Sequence, residues 1–168
     1  MISRFILAGL AVGLSLLINV SGVSAAEDAH QFRIKYRCST TDPQTTEHAL
    51  GRGQSLILVE CTRGPYNQSY LLLRKKAQGN LSALSIKDWD PGQKRFVRTS
   101  LITNPEFLSG KSEIYGFRKG RGVADCGDRG LWRWRSGRLV LMRFWRKTVC
   151  DGAPFEGDQW QIFPRASR

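Results

Sequence analysis

The sequence predicts a mainly β domain, a small antiparallel sheet or a sandwich- or barrel-like arrangement, stapled by two disulfides. Three observations lead there. Short runs of branched and aromatic residues recur about every 10–15 residues with Gly, Pro or Asn between them. No stretch after residue 26 carries the apolar periodicity of a three-turn amphipathic helix. Cys38, Cys61, Cys126 and Cys150 form an even set in a chain whose start reads as an export signal.

That start is MISRFILAGLAVGLSLLINVSGVSAA. Arg4 precedes an apolar stretch from Phe5 to Val20, and small residues lead to Ala25 and Ala26. A positive start, an apolar middle and a small-residue end make a secretory signal peptide, residues 1–26, cut after Ala25 or Ala26. A retained membrane anchor is the alternative. Asn19, the Ser/Gly-rich end and the lack of a positive stop-transfer flank stand against it. The expectation is a single disulfide-stabilised domain, residues 27–168, in the periplasm or secreted, from a bacterial source.

The elements follow in order. Phe32, Ile34 and Tyr36 alternate with Arg33, Lys35 and Arg37, the period of a half-buried strand running into Cys38. Thr40 to Pro43 and Thr45 to Glu47 are polar and mark turns or a short helix start. Ser55 to Cys61 (SLILVEC) reads as a buried strand, Gly64 to Asn67 as a turn, and Ser69 to Arg74 (SYLLLR) as the next strand. Leu81 to Trp89, Phe96 to Thr103 and Ser112 to Arg118 are further strands, with turns at Asp90-Pro91-Gly92 and a loop over Asn104 to Phe107. Leu131 to Arg135 and Arg138 to Lys147 pair across the two-residue turn Ser136-Gly137. In that register Trp134 faces Leu139 and Trp132 faces Leu141, while Arg135 faces Arg138 at a like-charge cost. The tryptophans therefore read as core. The other face carries arginines with Val140, Met142 and Phe144.

Two cysteine pairings out of three are long-range. Cys38–Cys61 and Cys126–Cys150 are favoured because each closes a local loop of about 25 residues, which stabilises by about 3 kcal/mol through the unfolded chain. None of the spacings matches a structural zinc site or a CxxC redox pair, so no metal or cofactor is assigned. Asp28-Ala29-His30 would make an amino-terminal copper site only if cleavage fell before Asp28, later than expected.

The formal net charge is +12, from 26 Lys and Arg against 14 Asp and Glu. Such an excess speaks of partners rather than fold. Lys119, Arg121, Arg133, Arg135 and Arg138 are the candidate binding residues, clustered in KGRGVADCGDRGLWRWRSGR. Outside the cytoplasm their partners would be an anionic envelope polymer, a lipid headgroup or an envelope protein. Nucleic acid is disfavoured, because the tryptophans alternate inward and export removes the usual substrate. Gly120, Gly122, Gly127 and Gly130 surround Cys126 and read first as a tight loop that places the cysteine, second as an anion cup.

Four segments carry a family resemblance: ECTRGPYNQSYLLL (Glu60 to Leu73), ITNPEF (Ile102 to Phe107), KGRGVADCGDRGLWRW (Lys119 to Trp134) and RKTVCDG (Arg146 to Gly152). In that order they are similar to the exported bacterial family called domain of unknown function 1176. The resemblance runs from about Gly53 to Pro164, with Pro65 in place of the family's usual alanine, and it implies the C-terminal half of the family's longer pattern. It implies no catalytic or binding residue.

Catalysis finds little support. The two histidines, His30 and His48, lie in the polar N-terminal part, and HExxH, GxSxG and EF-hand spacings do not occur. Asp125 and Asp128 are close in sequence but sit among Lys119, Arg121 and Arg129, so salt-bridging of the loop is the better reading. The expectation is a non-catalytic envelope protein that binds through its basic surface. The alternative is an enzyme of unknown reaction with a site near the Cys126 loop, drawing on Asp125, Asp128, Tyr66 and Asn67.

Overall fold

The computed structural model describes residues 25–164, so the expected signal peptide lies almost entirely outside the described residues. The elements are α1 (Ala25–Lys35), β1 (Thr45–Gly51), β2 (Gln54–Arg63), β3 (Gln68–Lys75), β4 (Leu81–Ala83), β5 (Ile86–Asp90), β6 (Arg95–Thr99), β7 (Leu101–Thr103), β8 (Glu106–Leu108), β9 (Glu113–Lys119), β10 (Gly127–Arg135), β11 (Arg138–Lys147) and β12 (Gln161–Phe163). All strand pairs are antiparallel. The first sheet runs β1-β2-β3-β4, with β7 also on β3, and the second runs β12-β11-β10-β9-β8. Strands β5 and β6 form a separate hairpin. The domain is mainly β, and both disulfides are the expected ones, Cys38–Cys61 and Cys126–Cys150.

The core lies between the two sheets. Leu56, Leu58 and Leu72 from the first meet Ile114, Trp132, Leu139, Leu141 and Phe144 from the second, with Ile86 and Ile102. The β5–β6 hairpin closes one side: Phe96 meets Trp89 and Phe144 edge-on at 5.3 Å, and Trp132 Nε1 donates to Lys87 O at 2.9 Å. Another seam brings His48 of β1 against Phe107 of β8, stacked at 4.6 Å. Trp132 needs space in its own strand. A Cβ on Gly130 would sit 2.1 Å from its ring, so the absence of a side chain there lets the indole lie flat.

The Phe32–Tyr36 segment departs from its expected strand form. It belongs to α1 and the turn that follows, an 11-residue helix where none of three turns was expected. Ala29, Phe32 and Tyr36 recur at helical spacing and pack on Ile57, Val59, Leu71 and Leu73, while Ile34 stays 59% exposed. Alternation over so few residues satisfied both periods. The alanines favour helix, and Arg33 and Lys35 in the last turn complement its dipole. Because α1 covers the outer face of the first sheet, β2 is apolar on both sides, which explains the unbroken SLILV run.

Other expectations are redrawn as well. Thr45 to Glu47 opens the edge strand β1, whose polar residues face solvent, in place of a turn or helix start. Leu81 to Trp89 splits between β4 in the first sheet and β5 in the hairpin, and Phe96 to Thr103 breaks at buried Ser100 into β6 and β7. Part of the Asn104–Phe107 loop becomes β8, and β10 begins at Gly127, four residues before Leu131. The β10–β11 register pairs Trp134 with Leu139, Trp132 with Leu141 and Arg135 with Arg138. Beyond them a bulge shifts the register between Leu131 and Trp132, so Leu131 faces Arg143 and Gly130 faces Phe144. Phe144, expected among the arginines, is therefore 1% exposed in the core. Arg143 and Trp145 turn outward.

Candidate binding face and the Cys126 loop

Strands β9, β10 and β11 turn one set of side chains into the core and the other away from it. The outward set includes Tyr115 on β9, Arg129, Leu131, Arg133 and Arg135 on β10, and Arg138, Val140, Arg143 and Trp145 on β11, as the cross-strand register requires. Arg135, Arg138 and Arg143 are exposed, and among the described residues none has an ion-pair partner. Arg133 is held by Glu113 across the strands, Nη2 to Oε1 at 2.5 Å. Arg129 lies between two phenyl rings, 4.4 Å from Phe117 and 4.3 Å from Phe155, and donates to Phe155 O. Where the segment carrying Phe155 folds over the sheet, Tyr115, Arg129, Trp145, Glu156 and Asp158 border a recess of about 250 Å³. Burial raises the Tyr115 phenol above its ordinary pKa, which keeps it a neutral donor.

The five sequence candidates do not form one patch. Arg133, Arg135 and Arg138 share the outer face at the Ser136-Gly137 end. Lys119 pairs with Gly127 at the opposite end of the sheet, eight residues from Arg135 along β10, or roughly 26 Å at strand rise. Arg121 clamps Asp125 with two bonds of 2.8 and 2.5 Å inside the Cys126 loop. Arg129, Arg143, Tyr115 and Trp145 complete the outer face and were not singled out. Their signal was present: strict alternation through β11 would put Arg143 among the tryptophans, a conflict that a bulge at Met142 relieves.

The Cys126 loop is a hub of fixed polar contacts. Asn67 Nδ2 donates to Lys119 O at 2.9 Å, Lys119 N donates back to Asn67 Oδ1 at 3.0 Å, and Asn104 Nδ2 donates to Asn67 Oδ1 at 3.0 Å and Phe117 O at 2.9 Å. Gly152 N donates to Asp125 Oδ2 at 2.6 Å. All four segments quoted for the resemblance thus meet here. Asn67 and Asn104 spend their amides pegging the β2–β3 turn to β9, and Tyr66 O accepts from Asn104 Nδ2 at 3.1 Å while the residue stays 41% exposed. The Arg121 guanidinium and the Gly152 N–H hold the Asp125 carboxyl well below the usual carboxylate range. Asp125, Cys126 and Cys150 bring a carboxylate oxygen and two sulfurs within 4.8 Å of one another. The sulfurs are joined to each other and the carboxylate is taken, so this is no ligand set.

Deeper in, Asp128 takes Arg118 Nε at 3.1 Å and Nη2 at 2.9 Å, with Arg146 Nε 3.7 Å away. Nearby Asp88, half-buried, has its pKa pushed up from 3.8 to about 6 by burial, which the Arg118 charge only partly offsets. Lys147 is fully buried and donates to Asp151 Oδ1 at 2.5 Å and Ala153 O at 2.8 Å. A lysine in a strand pattern gives no sign of this, because its partners come from the loop after Cys150.

A family model described as "Protein of unknown function (DUF1176)" matches residues 21–166. The chain is also similar to "Uncharacterized protein YpfG" of Escherichia coli (strain K12), 29% identical over 121 residues that cover 68% of this chain and 34% of that protein. The match thus spans about a third of that relative's length. No solved structure matches the chain.

Proposed function

The chain belongs to the DUF1176 family of proteins of unknown function, and from its own surface we propose that it is a non-catalytic, exported protein of the cell envelope that binds an anionic polysaccharide on the outer face of the second sheet. The single observation that carries this reading is the combination on that face of unpaired Arg135, Arg138 and Arg143 with the rings of Trp145 and Tyr115. Holding like charges on neighbouring strands costs stability, as at the Arg135–Arg138 pair, and among the described residues no acid pairs with either. A ligand with regularly spaced acidic groups does. Guanidinium forks take carboxylate or phosphate oxygens two at a time. The flat rings offer apolar platforms for the C–H faces of sugars, which a bare ion or a lipid headgroup would leave unused. The two disulfides support an oxidising compartment.

Retention on immobilised polygalacturonate, with neutral dextran as control, tests this. The protein should bind the acidic polymer and release as salt shortens the Debye length from ~10 Å at 0.1 M. Arg135→Ser/Arg138→Ser/Arg143→Ser should abolish retention and Trp145→Ala should weaken it by ~10-fold. Retention unchanged in the triple variant contradicts the reading. Equal binding to phosphatidylglycerol vesicles that ignores Trp145→Ala would replace the sugar by a lipid surface.

A further inference from the structure

We infer that the recess beside the Cys126–Cys150 bridge, separate from the outer face, is a binding site for a phosphoryl group. It holds about 340 Å³ and is lined by Arg118, Lys119, Arg146, Gly120, Gly127 and Thr148, with Asp128 and the disulfide. Its charge is unbalanced. The one acid, Asp128, is shared by Arg118 and Arg146, and Lys119 has no ion-pair partner among the described residues. A second, independent sign comes from an unmet donor. Arg146, which lines the recess, has a buried Nη1 that makes no hydrogen bond, and its guanidinium lies over the Trp89 ring, 4.8 Å from the ring centre. An unmet donor of this kind costs free energy that an acceptor with several oxygens would recover.

The walls suit a small, highly charged group. Gly127 takes φ +133°, and a Cβ there would fall 2.1 Å from Arg118 O, so bare backbone lines this part of the recess. The Asn67 and Asn104 amides fix the backbone of Lys119 on one side, and the disulfide fixes Cys126 on the other. Arg118 and Arg146, held on Asp128 before the ligand arrives, lose little freedom on binding. Lys147 also borders the recess but is held by Asp151, and the other cations, Arg118, Lys119 and Arg146, around one shared acid match a tetrahedral dianion better than a single carboxylate, which one guanidinium would satisfy. The volume admits a phosphate with part of the molecule that carries it. Free phosphate and a sugar phosphate share this chemistry.

The test is titration of the whole protein with inorganic phosphate, glucose 1-phosphate and acetate at constant ionic strength. It is followed by the amide signals of Gly120 and Gly127 and the indole N–H signal of Trp89. The two phosphates should move these signals to saturation, with acetate at least ~10-fold weaker. Arg146→Gln and Lys119→Gln should each weaken phosphate by ~10-fold, with Arg146→Lys in between. Lys119 is only half-buried and outside every ion pair, so its variant keeps the test open if Arg146→Gln does not fold. Arg135→Ser/Arg138→Ser should change nothing here, which separates this site from the outer face. Tighter binding of glucose 1-phosphate assigns the sugar phosphate, and equal binding assigns free phosphate. Shifts that never saturate, acetate binding as tight as phosphate, or Lys119→Gln without effect would overturn the inference.

Discussion

The outer face of the first sheet and the outer face of the second are made by the same rule, alternation along antiparallel strands, and they end in opposite states. On the first, Ile57, Val59, Leu71 and Leu73 point outward and are buried by α1, which Cys38–Cys61 ties to β2. Ser39 N and Thr40 N both donate to Cys61 O, at 2.9 and 3.2 Å, so the link is also hydrogen-bonded. On the second, the same positions hold arginines, the rings of Tyr115, Phe117 and Trp145, and the apolar Leu131 and Val140, and the segment around Phe155 crosses one end. The first face is spent on stability. The second is covered only where Phe155 packs over Phe117 and Arg129, and its exposed arginines toward the Ser136-Gly137 turn are the ones we propose serve a ligand.

The sharpest way to break this contrast is to truncate a side chain on each face. Leu71 is fully buried beneath α1, so Leu71→Ala should cost ~2–5 kcal/mol in chemical denaturation. A loss under ~1 kcal/mol would mean that α1 adds little to the domain.

Asp88 comes next, because it lies in neither face but in the charged seam between hairpin and second sheet. Its carboxyl holds a proton more tightly in the folded chain, with a pKa of about 6 against 3.8. The contribution of Asp88 is therefore most favourable below pH ~4, is lost as pH rises from ~4 to ~6, and levels off above, while the lowered carboxyl of Asp125 acts in the opposite direction in acid. Asp88→Asn removes this loss, raising stability by up to ~3 kcal/mol at pH 7.5 and hardly at all at pH 4. Thermal unfolding at the two pH values measures it, and an equal effect at both would show that the carboxyl does not titrate in this window.

The smallest effect is expected on the second face. Arg135→Ser/Arg138→Ser should shift the unfolding free energy by less than ~0.5 kcal/mol, upward if anything, since it removes a like-charge pair. A clear destabilisation would mean that these arginines serve the fold after all.

Much of the second sheet was legible in the sequence, and the physical reason is local. The Ser136-Gly137 turn fixes the register of the strands it joins, with both turn residues at positive φ, 48° and 83°. From there Trp132, Trp134, Leu139 and Leu141 fall inward in order. Legibility stopped at the bulge, where one extra residue moved Phe144 inward and Arg143 and Trp145 outward, redrawing the candidate site. The disulfides were legible because near neighbours in sequence were also near in space. The helix was not, since Phe32 and Tyr36 fit both periods and only packing against β2 and β3 decides between them. The Cys126 recess was half legible. Its glycines announced a special loop, but Arg118, Arg146 and Trp89 come from three separate strands, and no spacing in the sequence links them.

Whether the second sheet's outer face is the binding surface is decided by mapping amide and indole NMR signals during titration with soluble oligogalacturonate. Shifts should concentrate at Arg129, Leu131, Arg133, Arg143 and Trp145, with Ala25–Lys35 and Thr45–Gly51 unmoved. Shifts centred on α1 or β1, or spread evenly over every basic residue, would contradict it.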